Sequence, residues 1–392
     1  MTLGFELQAT DGAARTGTVT TARGSFSTPC FMPVGTRGAV RTLSSADLED
    51  LGAEVMLGNT YHLMLRPGAD VVARLGGIHG FADWRGHVLT DSGGYQVFSL
   101  GPRLDDEGAT FASTYDGSRH HLSPEGAVDV QVKLGADIQM VLDVCAALPS
   151  PPPVLRAAVD RTALWATRAR KAFLAHDRDD LSQFGIVQGG TDHELRVESA
   201  ERTVAIGFDG YAVGGLSVGE DRAEMLPALE AALGPLPTDR PRYFMGLGDP
   251  LGMVDAVARG IDMFDCVLPT RLGRHGTMLT WGGRLNLRNR RYADDAGPVD
   301  PDCGCPVCAR WSRGYLRHLL SVDEPTAPRL LTLHNVWWTF DLVHQIRAAI
   351  RSGTLPNLRR ALAEHWSPRR RSAPETLLDP HDREDAVPRR SR

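Results

Sequence analysis

The stretch HVLTDSGGYQ, residues 87–96, joins a short β-rich run to a polar, glycine-containing segment, and this pattern decides the fold. HVLT predicts a buried strand, and the polar residues after it would lie at the carboxyl end of that strand. Further β-rich runs occur in the chain, each separated from the next by enough residues for a helix: 29–34, 54–58, 136–143, 184–189, 210–215, 242–248 and 263–267. About eight strand–helix units predict an α/β fold, a closed (β/α)₈ TIM barrel, rather than an open sheet.

The composition is that of an ordinary globular protein. Of 392 residues, 42% are hydrophobic and 23% are charged, and no stretch is apolar for long enough to span a membrane. The first residues lack the basic start and the apolar run of a secretory signal, so we expect a cytoplasmic protein with reduced thiols. The net charge of −5 gives no overall basic footprint. A nucleic-acid partner would therefore be bound by a local patch.

Polar side chains follow most of the predicted strands. Asp91, Asp143, Asp265 and the amide of Gln188 stand at carboxyl ends of strands, where barrel enzymes place their active sites. A single aspartate at such a position is more simply explained as a helix N-cap. Caps need not gather at strand ends, however, and carboxylates that converge on one mouth repel one another. The set predicts a site for a polar ligand, and the glycines beside it would let backbone approach a flat one.

Three of the six cysteines form a tight cluster near the C-terminal end of the sequence, at Cys303, Cys305 and Cys308. In a reducing compartment this spacing indicates a metal site rather than disulfides, and thiol ligands favour zinc. Four protein ligands would make the site closed and structural, without an open position for catalysis. Candidates for a fourth ligand are the histidines that follow: His318, His334 and His344.

Several stretches occur in an order that resembles the signatures of the bacterial-type tRNA-guanine transglycosylases, the queuine tRNA-ribosyltransferase family. They are DSGGYQVFSL at 91–100, GIVQGG at 185–190, YAVGGLSVGE at 211–220, MFDCVLPTR at 263–271, and the cysteine cluster. A motif such as GIVQGG is weak by itself, whereas the ordered set is very specific. The resemblance covers residues 30–366 and implies a TIM barrel with a zinc-binding insertion near the C-terminus.

The resemblance implies an enzyme of queuosine biosynthesis. Such a pentosyltransferase exchanges guanine at the wobble position of GUN-anticodon tRNAs for 7-aminomethyl-7-deazaguanine. The resemblance assigns the catalytic roles to Asp265 and Asp91. Asp265 would attack the ribose C1′ to form a covalent ester, and Asp91 would deprotonate the incoming base. The alternatives are a transglycosylase that uses queuine or another deazaguanine, and a non-catalytic tRNA-binding relative. The presence of both aspartates favours an enzyme.

A purine pocket is also implied by the resemblance. Asp143 would meet the donor edge of the base, and Gln188 and the Gly215 N–H its acceptor side. Tyr95 and Met245 would stack on the two faces of the base, although simple core packing explains Met245 equally well. The other base-binding residues carried over from the family are Ser92, Cys145 and Leu216.

A few positions bear on which base enters. In bacterial members the carbonyl at the Leu216 position meets an aminomethyl group. A valine at the Val218 position narrows the pocket, whereas eukaryotic relatives carry a smaller residue. Val218 and Cys145 therefore favour 7-aminomethyl-7-deazaguanine over the larger queuine. Two positions depart from the family pattern, because Val144 replaces a usual glutamate and Asp249 stands where a lysine is common.

The resemblance completes the metal site and suggests partners. Family spacing selects His334 as the fourth ligand of one structural zinc ion per chain. Arg271 and Arg274, just after Asp265, would bind tRNA phosphates at the rim, with a solvated arginine face as the alternative. We further expect a homodimer through the zinc-bearing region.

Four units are expected along the chain. They are a barrel at 1–280, a hairpin and zinc-binding subdomain at 281–345, a closing helical segment at 346–368 and a disordered charged tail at 369–392. The hairpin is predicted from TWGGRLNLR, residues 280–288, in which a Gly-Gly turn separates alternating residues. Outer helices are predicted at 154–175 and 224–233 from their apolar spacing.

Overall fold

A computed structural model describes residues 3–366 of the chain, and parallel strands at its centre form a nearly closed barrel. The first barrel strand consists of two pieces, Cys30–Met32 and Val34–Gly35, separated by Pro33, which has no N–H to donate. Cys30–Met32 pairs with the last strand and Val34–Gly35 with the second. The remaining strands follow in order around the barrel: Val55–Gly58, His87–Thr90, Ile138–Met140, Ser182–Val187, Gly210–Val213, Arg242–Phe244 and Met263–Asp265. The predicted (β/α)₈ barrel is confirmed.

Helices cover the outside of the barrel, so its strands are buried on both faces and read as continuous apolar runs. The two helices predicted from periodicity are present as Pro152–Ala175 and Arg222–Leu233. Each begins two residues before its predicted start. The second begins with a capping box in which Asp221 and Glu224 bond each other's backbone N–H groups.

The other helices are mostly short. They are Ser45–Asp50, Thr60–Leu63, the π-helical turn Met64–Gly68, Ala69–Arg74, Gly77–Ala82, Gly94–Phe98, Pro124–Leu134, His193–Ile206, Pro250–Val257, Leu268–Arg274, the 3₁₀ turn Arg290–Tyr292, Arg313–Ser321, Thr326–Arg351 and Leu355–Trp366. Throughout residues 3–366, no helix combines the length and apolar character needed to cross a membrane.

Two three-stranded antiparallel sheets lie outside the barrel, and neither was predicted from the sequence. One precedes the barrel and contains Gly4–Asp11, Ala14–Thr21 and Gly24–Thr28; the other follows the third barrel strand and contains Arg103–Leu104, Ala109–Ala112 and Arg119–Leu122. The first sheet is joined to the barrel by buried Arg15, whose Nε and Nη2 donate to Asp262 at 2.8 and 2.6 Å. The strands of both sheets alternate polar and small residues, and such strands give little hydrophobic signal in the sequence.

The hairpin after the last barrel strand is present but begins earlier than predicted. Its strands are Thr277–Thr280 and Gly283–Asn286, with Thr280 opposite Gly283. The turn is therefore Trp281-Gly282 rather than the Gly-Gly pair, and Gly283 starts the second strand at φ +100°. Glycine alone adopts that backbone angle at little cost, which explains the glycine at position 283. The predicted tail at 369–392 lies outside the described residues.

Candidate active site and metal centre

One cavity opens at the carboxyl ends of the barrel strands, and most of the predicted site residues line it. They are Asp91, Ser92, Tyr95, Asp143, Cys145, Gly215, Leu216, Met245, Asp265, Arg271 and Arg274, together with Val218. Gln188 is buried directly behind this surface and does not line the cavity. Three aspartates from separate strands thus meet at one mouth, as the strand-end pattern predicts.

Asp265 ends the last barrel strand, and its neighbours donate hydrogen bonds to only one of its two carboxylate oxygens. Its Oδ1 accepts hydrogen bonds from the Tyr243 hydroxyl at 2.5 Å and from the Gly246 N–H at 2.7 Å. Among the described residues, no other residue donates a hydrogen bond to its Oδ2. Burial raises the pKa of Asp265 to about 6, and the nearby Asp91 carboxylate adds to the rise, whereas the two hydrogen bonds oppose it. The carboxylate is therefore the main form at neutral pH and keeps one oxygen for another partner.

Asp91 follows the third barrel strand and has both oxygens occupied. Its Oδ1 accepts the N–H groups of Thr60 at 2.8 Å and Gly93 at 3.1 Å, and its Oδ2 accepts the Asn59 side-chain amide at 2.5 Å. Burial raises its pKa above the usual range, while these donors oppose that rise by favouring the charged form. A buried carboxyl balanced in this way can take up and release a proton more readily than an exposed one.

Asp143 follows the fourth strand and bonds Gln188 directly. The Gln188 Nε2 donates to Asp143 Oδ2 at 2.6 Å, and both side chains are buried. Burial raises the pKa of Asp143 to about 6, with a contribution from the charge of Asp91. Part of the hydrogen-bonding capacity of the Gln188 amide, which stands behind the cavity surface, is therefore used by Asp143.

The residues that form the walls of the cavity differ in exposure and backbone geometry. Tyr95 stands on the short helix Gly94–Phe98 with 43% of its surface exposed, and Met245 is partly buried after the seventh strand. Leu216 is buried, and Ser217 beside it has a φ of +61°, which is unusual for a residue with a side chain. Glu220 accepts the N–H groups of Ser217 and, at 3.1 Å, Val218, so it holds this loop in place.

Two residues that touch the aspartates were missed from the sequence. Asn59 directly follows the second strand, Val55–Gly58, so it meets the same strand-end criterion as Asp91 and could have been found by it. Tyr243 lies inside the seventh strand, where its ring reads as core packing. The sequence signal that could have identified Tyr243 as a site residue is that the hydroxyl of a buried tyrosine requires a polar partner.

The two departures from the family pattern have different structural settings. Val144 is buried in an apolar cluster that includes Leu142 and Trp165, so a valine fits its surroundings. Asp249 is the N-cap of the helix Pro250–Val257, where its side chain accepts the Gly252 N–H at 2.9 Å. Its Oδ2 also lies 3.8 Å from Arg222. Neither residue lines the cavity.

Cys303, Cys305, Cys308 and His334 form a second site away from the cavity, and their ligand atoms all lie within 4.8 Å of one another. His334 lies in the middle of the long helix Thr326–Arg351, and its Nε2 donates to the Leu279 carbonyl at 2.8 Å. Its Nδ1 therefore carries the lone pair and faces the sulfurs, at 3.8, 3.3 and 3.3 Å. The set can hold a metal ion, as the cysteine spacing predicted.

Comparison with known proteins agrees with this geometry. The family model described as queuine tRNA-ribosyltransferase matches residues 10–368. A protein of that name from Solidesulfovibrio magneticus is 52% identical over 351 residues, which cover 89% of this chain and 94% of the relative. The chain is also similar to proteins of the same name from Caulobacter vibrioides, 50% identical over 92% of this chain and 97% of the relative, and Novosphingobium aromaticivorans, 51% identical over 89% and 94%. The chain thus belongs to the queuine tRNA-ribosyltransferase family.

Proposed function

We propose that this protein is a tRNA-guanine transglycosylase that replaces guanine at the wobble position of GUN-anticodon tRNAs in queuosine biosynthesis. The observation that carries the proposal is the meeting of Asp265, Asp91 and Asp143 in one cavity, close enough for the charge of Asp91 to raise the pKa of both others. The family match across most of the chain supports it. A non-catalytic relative would not need to retain two such aspartates.

In the first step, Asp265 attacks the ribose C1′ of the target nucleotide. A bond forms between a carboxylate oxygen and C1′, the C1′–N9 bond breaks, and the electron pair leaves with the guanine. Oδ2 is the oxygen suited to this attack, because Oδ1 is occupied by Tyr243 and Gly246. These two donors also fix the carboxylate in one orientation, which lowers the entropy cost of reaching the transition state.

The second step returns the ribose to a base. Asp91 takes the N9 proton of the incoming base, N9 attacks C1′, and the carboxylate of Asp265 leaves with the bonding electrons. The Oδ2 of Asp91 is the oxygen suited to take this proton, because it accepts a single hydrogen bond, from the Asn59 amide, and has a second lone pair.

A purine fits between the remaining groups. The carboxylate of Asp143 accepts from the N1–H and 2-amino group of a guanine, and the Gly215 N–H donates to its O6. Tyr95 and Met245 stack on the faces of the base. We assign Ser92 and Cys145 to the pocket wall, and Arg271 and Arg274, on the helix Leu268–Arg274 at the rim, to flanking phosphates.

The incoming base that this pocket fits best is 7-aminomethyl-7-deazaguanine. Because the Ser217 N–H donates to Glu220, the trans peptide bond turns the Leu216 carbonyl away from Glu220. Leu216 and Ser217 line the cavity, so this carbonyl can accept a hydrogen bond from an aminomethyl group. Queuine or another deazaguanine is the alternative base.

The metal that we propose for the second site is one zinc ion per chain. Three thiolates and one imidazole form a ligand set typical of closed structural zinc sites. An ion bound by this set would link the loop that carries the cysteines to the long helix Thr326–Arg351. We also propose a cytoplasmic homodimer joined through this region. In the helix Arg313–Ser321, which follows the cysteines in the chain, and just after it, Tyr315 and Val322 leave 44% and 57% of their surfaces exposed.

The function is tested with tRNA whose wobble guanine carries a radioactive label. Incubation with the protein and unlabelled guanine should release the label from GUN-anticodon tRNA and leave other tRNAs unchanged. A trapped complex of tRNA and protein that resists denaturant should form during turnover. Retention of the label under these conditions would contradict the proposed activity.

The incoming base is tested by competition. With 7-aminomethyl-7-deazaguanine, queuine and guanine present together, the first should be incorporated fastest, as judged by mass spectrometry of the digested tRNA. Faster incorporation of queuine would contradict the assignment of the base while leaving the transglycosylase activity intact.

Tyr243→Phe is expected to move the acid limb of the pH–rate profile upward. The Tyr243 hydroxyl favours the charged form of Asp265, so its removal raises a pKa that already stands at about 6. Activity requires the carboxylate and is lost as pH falls through this pKa, so the loss begins at a higher pH in the variant, by up to about 1 pH unit. The measurement is kcat/KM for tRNA between pH 5 and 8, and an unchanged acid limb would contradict the role of Tyr243.

A further inference from the structure

Arg196 is a fully buried arginine that forms no ion pair in the described part of the chain. Its guanidinium instead donates to four backbone carbonyls: Gly190 at 2.7 Å, Val187 at 3.0 Å, Gly214 at 2.7 Å and Gly215 at 3.1 Å. Burial lowers the pKa of Arg196 to about 10, so the side chain is still charged at neutral pH. A buried charge that is held only by carbonyl dipoles costs stability, and such a cost is found more often at functional sites than elsewhere.

Of the carbonyls that Arg196 binds, that of Val187 ends the fifth barrel strand, and the other three belong to the loops that follow the fifth and sixth strands. Gly214 and Gly215 line the cavity, and Gly215 adopts the left-handed region at φ +64°. In a trans peptide the carbonyl and the following N–H point in opposite directions. Because Arg196 binds the Gly214 and Gly215 carbonyls, the N–H groups of Gly215 and Leu216 point away from Arg196.

The same helix, His193–Ile206, also positions Gln188. Ser199 stands three residues after Arg196 on the same face, and its Oγ accepts the Gln188 N–H at 3.0 Å. The Gln188 side chain packs tightly against the held glycines, since a Cβ added to Gly215 would lie 2.2 Å from Gln188 Oε1. One helix face therefore orients the backbone and the amide that stand on one side of the purine pocket.

We infer that Arg196 is a positioning residue for base recognition, because it turns the peptide of Gly214 and Gly215 so that the Gly215 N–H faces the acceptor oxygen of the purine. This inference rests on the proposed function. Arg196 touches neither base nor ribose, and it acts through the backbone that it holds.

The test compares guanine with 6-thioguanine as incoming bases. 6-Thioguanine keeps the N1–H and the 2-amino group that meet Asp143, but it replaces the acceptor oxygen with a larger sulfur that accepts hydrogen bonds weakly. The wild-type enzyme should prefer guanine in kcat/KM by about tenfold or more. In Arg196→Lys the shorter, single ammonium cannot reach all four carbonyls, so this preference should fall to within about threefold. The ratio is taken within one preparation and does not depend on the fraction of folded enzyme.

Arg242→Lys is the matched control. Arg242 is also a buried arginine whose guanidinium binds backbone carbonyls, those of Leu236 at 2.7 Å and Pro237 at 3.3 Å, but neither Leu236 nor Pro237 lines the cavity. Its variant should lose stability without losing the preference for guanine. An Arg196→Lys enzyme that keeps the wild-type ratio, or a control that loses it equally, would overturn the inference.

If Arg196→Lys does not fold, two further measurements still test the inference. Arg196→Gln retains one donor and should show the same loss of preference. A wild-type enzyme that uses guanine and 6-thioguanine within twofold of each other also overturns the inference, because the oriented N–H would then not read the oxygen. Absence of any guanine exchange by the wild type would instead contradict the proposed function.

Discussion

Asp265→Asn is expected to abolish guanine exchange, with a loss in kcat of about 10⁴-fold or more, while the barrel stays folded. Asparagine keeps the size of the side chain and an oxygen that can accept the hydrogen bonds of Tyr243 and Gly246. It is not nucleophilic, so no ester with the ribose can form. The measurements are release of labelled guanine from tRNA and the amount of denaturant-resistant complex of tRNA and protein.

The control for this variant is Asp192→Asn. Asp192 caps the helix His193–Ile206 through the Leu195 N–H, and asparagine caps helices about as well as aspartate. This variant should retain the activity and the unfolding temperature of the wild type. If Asp265→Asn exchanged guanine at the wild-type rate, the nucleophile would have to be another group of the cavity, and the assigned mechanism would be wrong.

The positions of the three aspartates follow from the sequence because a parallel barrel places every strand's carboxyl end at the same mouth. Asp91 and Asp143 follow predicted strands and Asp265 ends one, and the barrel topology brings these strand ends together. The cysteine cluster is similar, since its spacing alone indicates a metal. A local sequence pattern is enough to predict where these aspartates stand, because every strand of a parallel barrel ends at the same mouth.

The hydrogen bonds that Tyr243 and Arg196 make at the site could not be derived from the positions of strand ends. Tyr243 reaches Asp265 and Arg196 reaches Gly214 and Gly215, and these contacts depend on side-chain directions that periodicity does not specify. The raised pKa values have the same origin, because burial is their largest cause and burial is a property of the assembled barrel. The small sheet at Gly4–Thr28 was missed because strands with an exposed, polar face lack an apolar run.

The metal centre is connected to the rim of the active site through the long helix Thr326–Arg351. This helix carries His334 and packs closely on the helix Leu268–Arg274, since a Cβ added to Gly273 would lie 3.0 Å from the Leu331 backbone. The neighbouring Asn335 accepts the Leu279 N–H at 2.9 Å and donates to the carbonyls of Pro269 and Thr277. The metal ligands and the residues proposed to bind tRNA thus stand on one packed unit.

Cys305→Ser is expected to remove the metal and with it the fold of this unit. A structural zinc site of this type contributes an apparent binding free energy of about 10–16 kcal/mol near neutral pH, and without it buried thiols and an imidazole face one another without a cation. Elemental analysis should find about one zinc ion per wild-type chain and nearly none in the variant. Limited proteolysis should then cut between residues 277 and 351, and guanine exchange should be lost because the rim helix loses its support.

Cys30→Ser provides the control, because Cys30 is equally buried but lies in the first barrel strand, away from the cluster. It replaces a buried thiol with a more polar hydroxyl, which costs about 1–3 kcal/mol, and it should leave the zinc content at that of the wild type. The comparison separates loss of the metal from the general effect of a serine in the core. A Cys305→Ser protein that resists protease and exchanges guanine as the wild type does would show that the fold does not depend on the metal.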